Sequence, residues 1–285
     1  MDEEIRTLVS RHLPGRRLGA VTKLGEGWDN VAWQTGDGLV IRLGKEPDLA
    51  ERADDIRREA AVLDLAAEVS TLRVPKVLFA DPDAGVLVYE KVEGKPVRLG
   101  LVADAGALAA TMGAFVSRLH QVPLARTEGL VRRDAEPMSA WLAEATRNHA
   151  QIAALLPGTA RARVERFLGR RPPAEPRTVV FCHNDLGTEH ILADAAGAVT
   201  GVIDWSDAAL ADPAHDLALL YRDLGPDVFD LTVASYEGHW DGPSRARALF
   251  YARCCALLDD IAYAVRTGAG ADVRRALAKL AWTFA

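Results

Sequence analysis

Hydrophobic patterning changes character once along this chain, close to residues 90–94. Before that point the apolar residues come in short runs parted by glycine turns. They fall at 19–24, 31–35 and 39–43, with Gly36-Asp37-Gly38 as a hairpin signal, and again at 77–80 and 85–90 around the turn 81–84. One helix interrupts them, because Ile56, Ala60, Leu63 and Ala67 recur at helical spacing within 49–67. A shorter helix through Ile5, Leu8 and Val9 comes first and ends at Pro14-Gly15. Beyond residue 94 the period is helical, with Leu108, Met112, Phe115, Val116 and Leu119 on one face. The expected architecture is α+β: a sheet-bearing N-terminal unit over 1–92 and a larger helical unit over 93–285.

The chain has 285 residues, 49% of them hydrophobic and 26% charged, which suits an ordinary globular protein with a sizeable core. No run approaches the roughly 20 apolar residues of a membrane span. The acidic start, Met1-Asp2-Glu3-Glu4, lacks the basic and apolar segments of a secretory signal, so a cytoplasmic location is expected. Three cysteines, Cys182, Cys254 and Cys255, have neither disulfide-framework nor zinc-site spacing and are read as reduced. With a net charge of −6 and scattered arginines, nucleic acid is not an expected partner.

The chemistry concentrates between residues 178 and 204. Thr178-Val179-Val180-Phe181 reads as a buried strand, and a polar loop leaves it at His183-Asn184-Asp185-Leu186. The apolar pair Ile191-Leu192 follows, and a further strand at Val202-Ile203 ends in Asp204. Carboxylates and an imidazole at strand ends are suitably placed for catalysis. Phosphoryl transfer needs a carboxylate beside the acceptor hydroxyl, a task for Asp185, and ligands that hold magnesium against a triphosphate, a task for His190 and Asp204. Each of these residues alone is also what a loop cap or a buried histidine looks like. Upstream, Gly25, Gly27 and Asn30 lie in a turn between two strands, where backbone N–H groups can approach phosphates.

The run 183–190, His-Asn-Asp-Leu-Gly-Thr-Glu-His, followed by Gly201-Val202-Ile203-Asp204-Trp205-Ser206-Asp207 and Asp212-Pro213-Ala214-His215-Asp216, closely resembles the aminoglycoside and macrolide phosphotransferases. That resemblance implies a protein-kinase-like fold, with an antiparallel sheet lobe, a hinge and a helical lobe. It implies that Asp185 is the base, that Asp204 with His190 binds Mg2+, and that His183 and Asp216 support the catalytic loop. It also implies a cation on the third strand held by a helical Glu. Arg42 stands there in place of the usual Lys, with Glu59 as partner, and Lys45 lies past the strand. Tyr89, Glu90 and Val92 are expected to present hinge backbone to the purine of ATP or GTP.

The acceptor is the least legible part. Asp207, Asp223, Glu237, Asp259 and Asp260 could hold a cationic antibiotic, whereas Tyr221, Phe229, Trp240, Phe250 and Tyr263 could line an apolar cleft for a macrolide. An aminoglycoside is the leading acceptor. A macrolide, an amino alcohol or a sugar is the alternative, and a nucleotide-binding protein that has lost catalysis is a third reading.

Overall fold

A computed structural model describes residues 2–27, 29–97, 102, 104–262, 265 and 270–285, with backbone alone at 258–260 and 270–272. Helix α1, Asp2–His12, carries acids in its first turn and bases in its last, complementing the helix dipole. Its Ile5 and Val9 are buried against Leu39, Ile41, Val86 and Val88 of the sheet. The strands are β1 Val21–Glu26, β2 Asn30–Thr35, β3 Leu39–Gly44, β4 Lys76–Asp81 and β5 Val86–Glu90, all antiparallel, in the order β1-β2-β3-β5-β4. Arg42 thus lies mid-sheet, opposite Ala32 on one side and Leu87 on the other. Helix α2, Leu49–Val69, starts where Asp48 accepts from the N–H groups of Ala50 and Glu51, and it buries Ile56, Val62, Leu63, Leu65 and Ala66.

The chain leaves the sheet after Glu90 and pairs next at β6, Lys95–Pro96, so the crossing occupies 91–94. A second tie comes from the linker after α2. The Arg73 carbonyl accepts from the Val202 N–H at 2.9 Å, and Arg73 bridges Gly201. At Gly201 a Cβ would lie 2.5 Å from Val92 Cγ1 and 2.6 Å from the Arg73 oxygen. One of these contacts is backbone, so the crowding cannot be relieved by a rotamer change. Gly201→Ala is expected to cost about 1–3 kcal/mol through overpacking, read as a lower urea midpoint with unchanged slope.

The second lobe is built on α3, Ala105–His120, and α6, Pro213–Ala234, joined by α4, Met138–Ile152, α5, Gly158–Leu168, and α7, Gly242–Cys255. A π-helical turn, Ala256–Ala262, and α8, Gly270–Thr283, complete it. Helix α6 kinks at Gly225, whose φ of 83° breaks the helical run just before Pro226. Two small sheets hold the functional loops. Strands β9, Ile191–Ala193, and β10, Val199–Val202, join β6. Strands β8, Val180–Cys182, and β11, Ala209–Ala211, join β7, Arg132–Arg133. The strand expected at 178–181 therefore begins two residues later, and the one expected at 202–203 runs instead from 199 to 202. Among the described residues no helix is long and apolar enough to cross a membrane.

Candidate active site

The loop 183–190 leaves β8 and is held from beneath by one carboxylate. Asp216 sits in the first turn of α6, whose N-cap is Asp212 and whose first residue is Pro213. It is fully buried, and it accepts from the backbone N–H of His183 (3.0 Å) and of Asn184 (2.7 Å). His120, at the end of α3, brings Nε2 to 3.1 Å from the same carboxylate, and its Nδ1 lies 2.8 Å from the Tyr236 hydroxyl. Burial works against the Asp216 charge, but the bond from His120 and the neighbouring histidines hold its pKa below the usual carboxylate range. Asn184 takes a left-handed φ of 68°, which turns the chain sharply just before Asp185.

Hydrogen bonds fix the two histidine tautomers. His183 Nε2 lies 3.0 Å from the Ile203 carbonyl, so it carries the hydrogen, and Nδ1 accepts the Asp185 N–H at 3.3 Å. Burial lowers its pKa to about 4, which keeps the ring neutral in that role. His190 Nδ1 donates to the Asp185 carbonyl at 2.8 Å, which points Nε2 outward, 3.6 Å from Asp204 Oδ2. The Asp185 carboxylate stands 3.3 Å from the same Nδ1. Burial pushes the Asp185 pKa up to about 7. The His190 ring is raised despite burial, by the charges of Asp185 and Asp204.

Asp204 has a left-handed φ of 64° and is gripped from the sheet lobe. Arg42 Nη1 donates to Asp204 Oδ1 at 3.2 Å and to Glu59 Oε1 at 2.5 Å, so one guanidinium links β3, α2 and the helical lobe. Burial resists ionisation of Arg42, yet Glu59 and Asp204 raise its pKa further, and Arg42 and His190 keep Asp204 low against the same burial penalty. Arg42 also lines the cleft beneath the sheet, which brings its positive charge to the edge of that space. Lys45 reaches the turn after β1 instead, with Nζ at 2.9 Å from Glu26 Oε1 and 3.0 Å from the Gly27 carbonyl. That turn closes by a Gly27 N–H to Asn30 carbonyl bond, and no atom lies within 4 Å of where a Gly25 Cβ would be, which leaves its backbone open to a ligand.

Other expected residues fall in different places. Tyr89 pairs with Val40 and Val77, Glu90 pairs with Leu39 and Lys76 at the strand end, and Val92 is buried between the lobes. Asp207 lines a cleft of about 830 Å3 with Arg42, Glu59, Asn184 and Arg132, on the α2 side of the sheet lobe, and burial raises its pKa. Asp223 requires a correction. Its side chain is wholly buried, and its oxygens are taken by the Thr188 N–H, Arg222 and Lys279, so it anchors the far end of the loop 183–190 and has no oxygen facing the cleft. Glu237 is exposed next to Gln121, on a face apart from this cleft. The side chains of Asp259 and Asp260, together with Trp28 and Tyr263, lie outside the described residues. His120, Tyr236 and Asp134, whose Oδ2 accepts from Asn184 Nδ2 at 3.3 Å, were not anticipated.

A carboxylate with a raised pKa stands beside an imidazole and a second carboxylate, under a sheet that carries an arginine–glutamate pair. Together with the two-lobed fold, this arrangement defines a kinase-type phosphotransferase acting on small molecules. Residues 20–251 match the model of the phosphotransferase enzyme family, and the chain belongs to that family. It is 26% identical over 279 residues to viomycin phosphotransferase of Streptomyces vinaceus, covering 93% of this chain and 94% of that one. Its fold is similar to that of an aminoglycoside phosphotransferase solved with GDP and kanamycin (TM-score 0.76, 19% identity, 98% of each chain). It also matches macrolide 2′-phosphotransferase of Brachybacterium faecium (TM-score 0.65, 24% identity, 98% of each chain).

Proposed function

We propose that this protein transfers the γ-phosphate of ATP or GTP to a hydroxyl of a cationic antibiotic, an aminoglycoside or viomycin, and so inactivates it in the cytoplasm. The single observation that carries this reading is Asp185. It is a carboxylate whose surroundings raise its pKa to about 7, set where the loop meets the Asp204–Arg42 link between the lobes. A base near neutrality can take the hydroxyl proton as the oxygen attacks phosphorus and the nucleoside diphosphate leaves. Arg42, lining the cleft, would grip a phosphate oxygen, and the turn at Gly25, where nothing crowds the backbone, would approach the others. Glu59 would keep Arg42 oriented.

His190 and Asp204 fit Mg2+. An imidazole nitrogen turned outward by its own Nδ1 bond faces a carboxylate oxygen at 3.6 Å, so a small approach would bring both onto one octahedral ion, whose adjacent ligands lie about 3 Å apart. When bound, Mg2+ would neutralise phosphate charge as the bond to the leaving group breaks. Hinge backbone from Tyr89 to Val92 would receive the purine. Asp207, on the cleft wall and carrying a raised pKa, is the acid best placed for a basic acceptor.

The test is nucleoside diphosphate release from ATP and from GTP with viomycin, kanamycin, erythromycin, choline and glucose as acceptors. Turnover with viomycin or kanamycin is expected, and turnover with erythromycin or a metabolite alone would reassign the acceptor. Magnesium-dependent nucleotide binding without turnover of any of the five would replace the enzyme reading with that of a silent nucleotide binder.

A further inference from the structure

A second pocket, of about 180 Å3, opens where α6 begins, between residues 133–136, 175–179 and α7. Its floor is made by His215, Tyr251 and Asp212, all buried, and its rim by the exposed Arg133, Glu136 and Glu175. His215 is only 6% exposed, lies edge-on to the Tyr251 ring at 4.9 Å, and has no partner at Nδ1 or at Nε2. Burial lowers its pKa, so the ring is neutral and offers one donor and one acceptor. Buried polar atoms left unsatisfied are costly and uncommon, and His215 lines a space with room for several water-sized groups.

The charge around the pocket selects what can enter. Asp134, Glu136, Glu175 and Asp212 supply four carboxylates, while Arg133 and Arg247, which pairs with Asp212 at 2.6 Å, supply two guanidinium groups. An anion is therefore disfavoured. A bare metal ion is disfavoured too. Among the described residues, the groups that bring three ligand atoms together are His120 with Cys182 and Asp216, and Asp185 with Glu189 and His190, and neither includes His215.

We propose that this pocket binds a compact organic cation, an ammonium or guanidinium group, which donates to His215 while the rim carboxylates balance its charge. Such a group is wide enough to reach several acceptors that a metal ion could not bring together. Asp134 lines the pocket and holds Asn184, so occupancy is linked to the catalytic loop. The cation is either a pendant basic group of the acceptor or a free small molecule. The first source rests on the phosphotransferase reading, and binding itself does not.

The test uses the full chain labelled with 15N-histidine, without nucleotide. Among the seven histidines, the His215 ring signals are identified by their loss in His215→Gln. Methylguanidinium chloride and kanamycin are titrated separately, with sodium chloride as the control at matched ionic strength. A saturable His215 shift is expected, with affinity falling about two- to fivefold in each of Glu136→Gln and Glu175→Gln. A shift with kanamycin alone supports an acceptor arm, and competing shifts with both probes support a general cation site. No saturable shift, or one reproduced by sodium chloride, means that the pocket holds water only and overturns the proposal. Should His215→Gln fail to fold, affinities unchanged in the two rim variants overturn it equally. Phosphoryl transfer is not read, so failure of the kinase reading would leave these shifts intact.

Discussion

An Asp185→Asn enzyme is expected to lose about 1,000-fold in kcat while binding nucleotide within about twofold of the parent. The amide has the same shape and can still accept a hydrogen bond, but it cannot take the hydroxyl proton. In the proposed site the nucleotide contacts come from Arg42, the turn after β1 and the hinge, none of which the change touches. The pH profile separates this role from a merely structural one. With a folded pKa of about 7 for Asp185, kcat/KM of the parent should fall as pH drops below about 7 and level off above it, whereas the variant should be low at every pH. Folding carries the opposite sign. The raised pKa means that the folded state disfavours this charge, a penalty absent below pH 3.8 and complete above about 7. The variant should therefore be at least as heat-stable as the parent at pH 8. A coupled assay of diphosphate release checks the first claim, and more than one tenth of parental kcat would exclude Asp185 as the base.

Asp216→Ala is expected to be the most damaging single change to stability, by about 3–5 kcal/mol. It strands two backbone N–H groups and one imidazole in the interior at once, because His183, Asn184 and His120 all converge on that carboxylate. For a chain of this size the melting temperature should fall by about 10 °C. Asp216→Asn keeps one acceptor oxygen and should lose less. A loss below about 1 kcal/mol in the alanine variant, measured by urea unfolding, would show that the loop is held by something else.

Much of this arrangement was legible because neighbours in space are neighbours in sequence. The strand, loop and strand from 180 to 204 carry Asp185, His190 and Asp204 within twenty residues, and the short apolar runs mark where the loop starts and stops. The Arg42–Glu59 pair followed from the family resemblance, which expects a cation on the third strand and a glutamate on the next helix. What escaped is what long-range packing assembles. His120 is one more residue at the end of an amphipathic helix until Asp216 and Tyr236, both about a hundred positions away, close on it. Asp223 looks like any helix-face acid in the sequence. Only the fold turns the neighbouring Arg222 onto it and brings Lys279 in from α8. The two-residue strands β6 and β7 are too short to show a period at all.

Asn184 and Asp204 share one property: both stand in left-handed backbone that costs a non-glycine residue about 1 kcal/mol. The tension sits at the two points where the chain turns to aim Asp185 and Asp204, the proposed base and cation-binding carboxylate. Glycine would relax the backbone at either position, but at Asp204 it would also strand the buried Arg42, so a search that rewards heat tolerance alone would reach Asn184 and would enrich clones that survive heating with a loosened turn before Asp185. Selection has to impose turnover and heat together, because at Asn184 durability and activity pull the same residue in opposite directions.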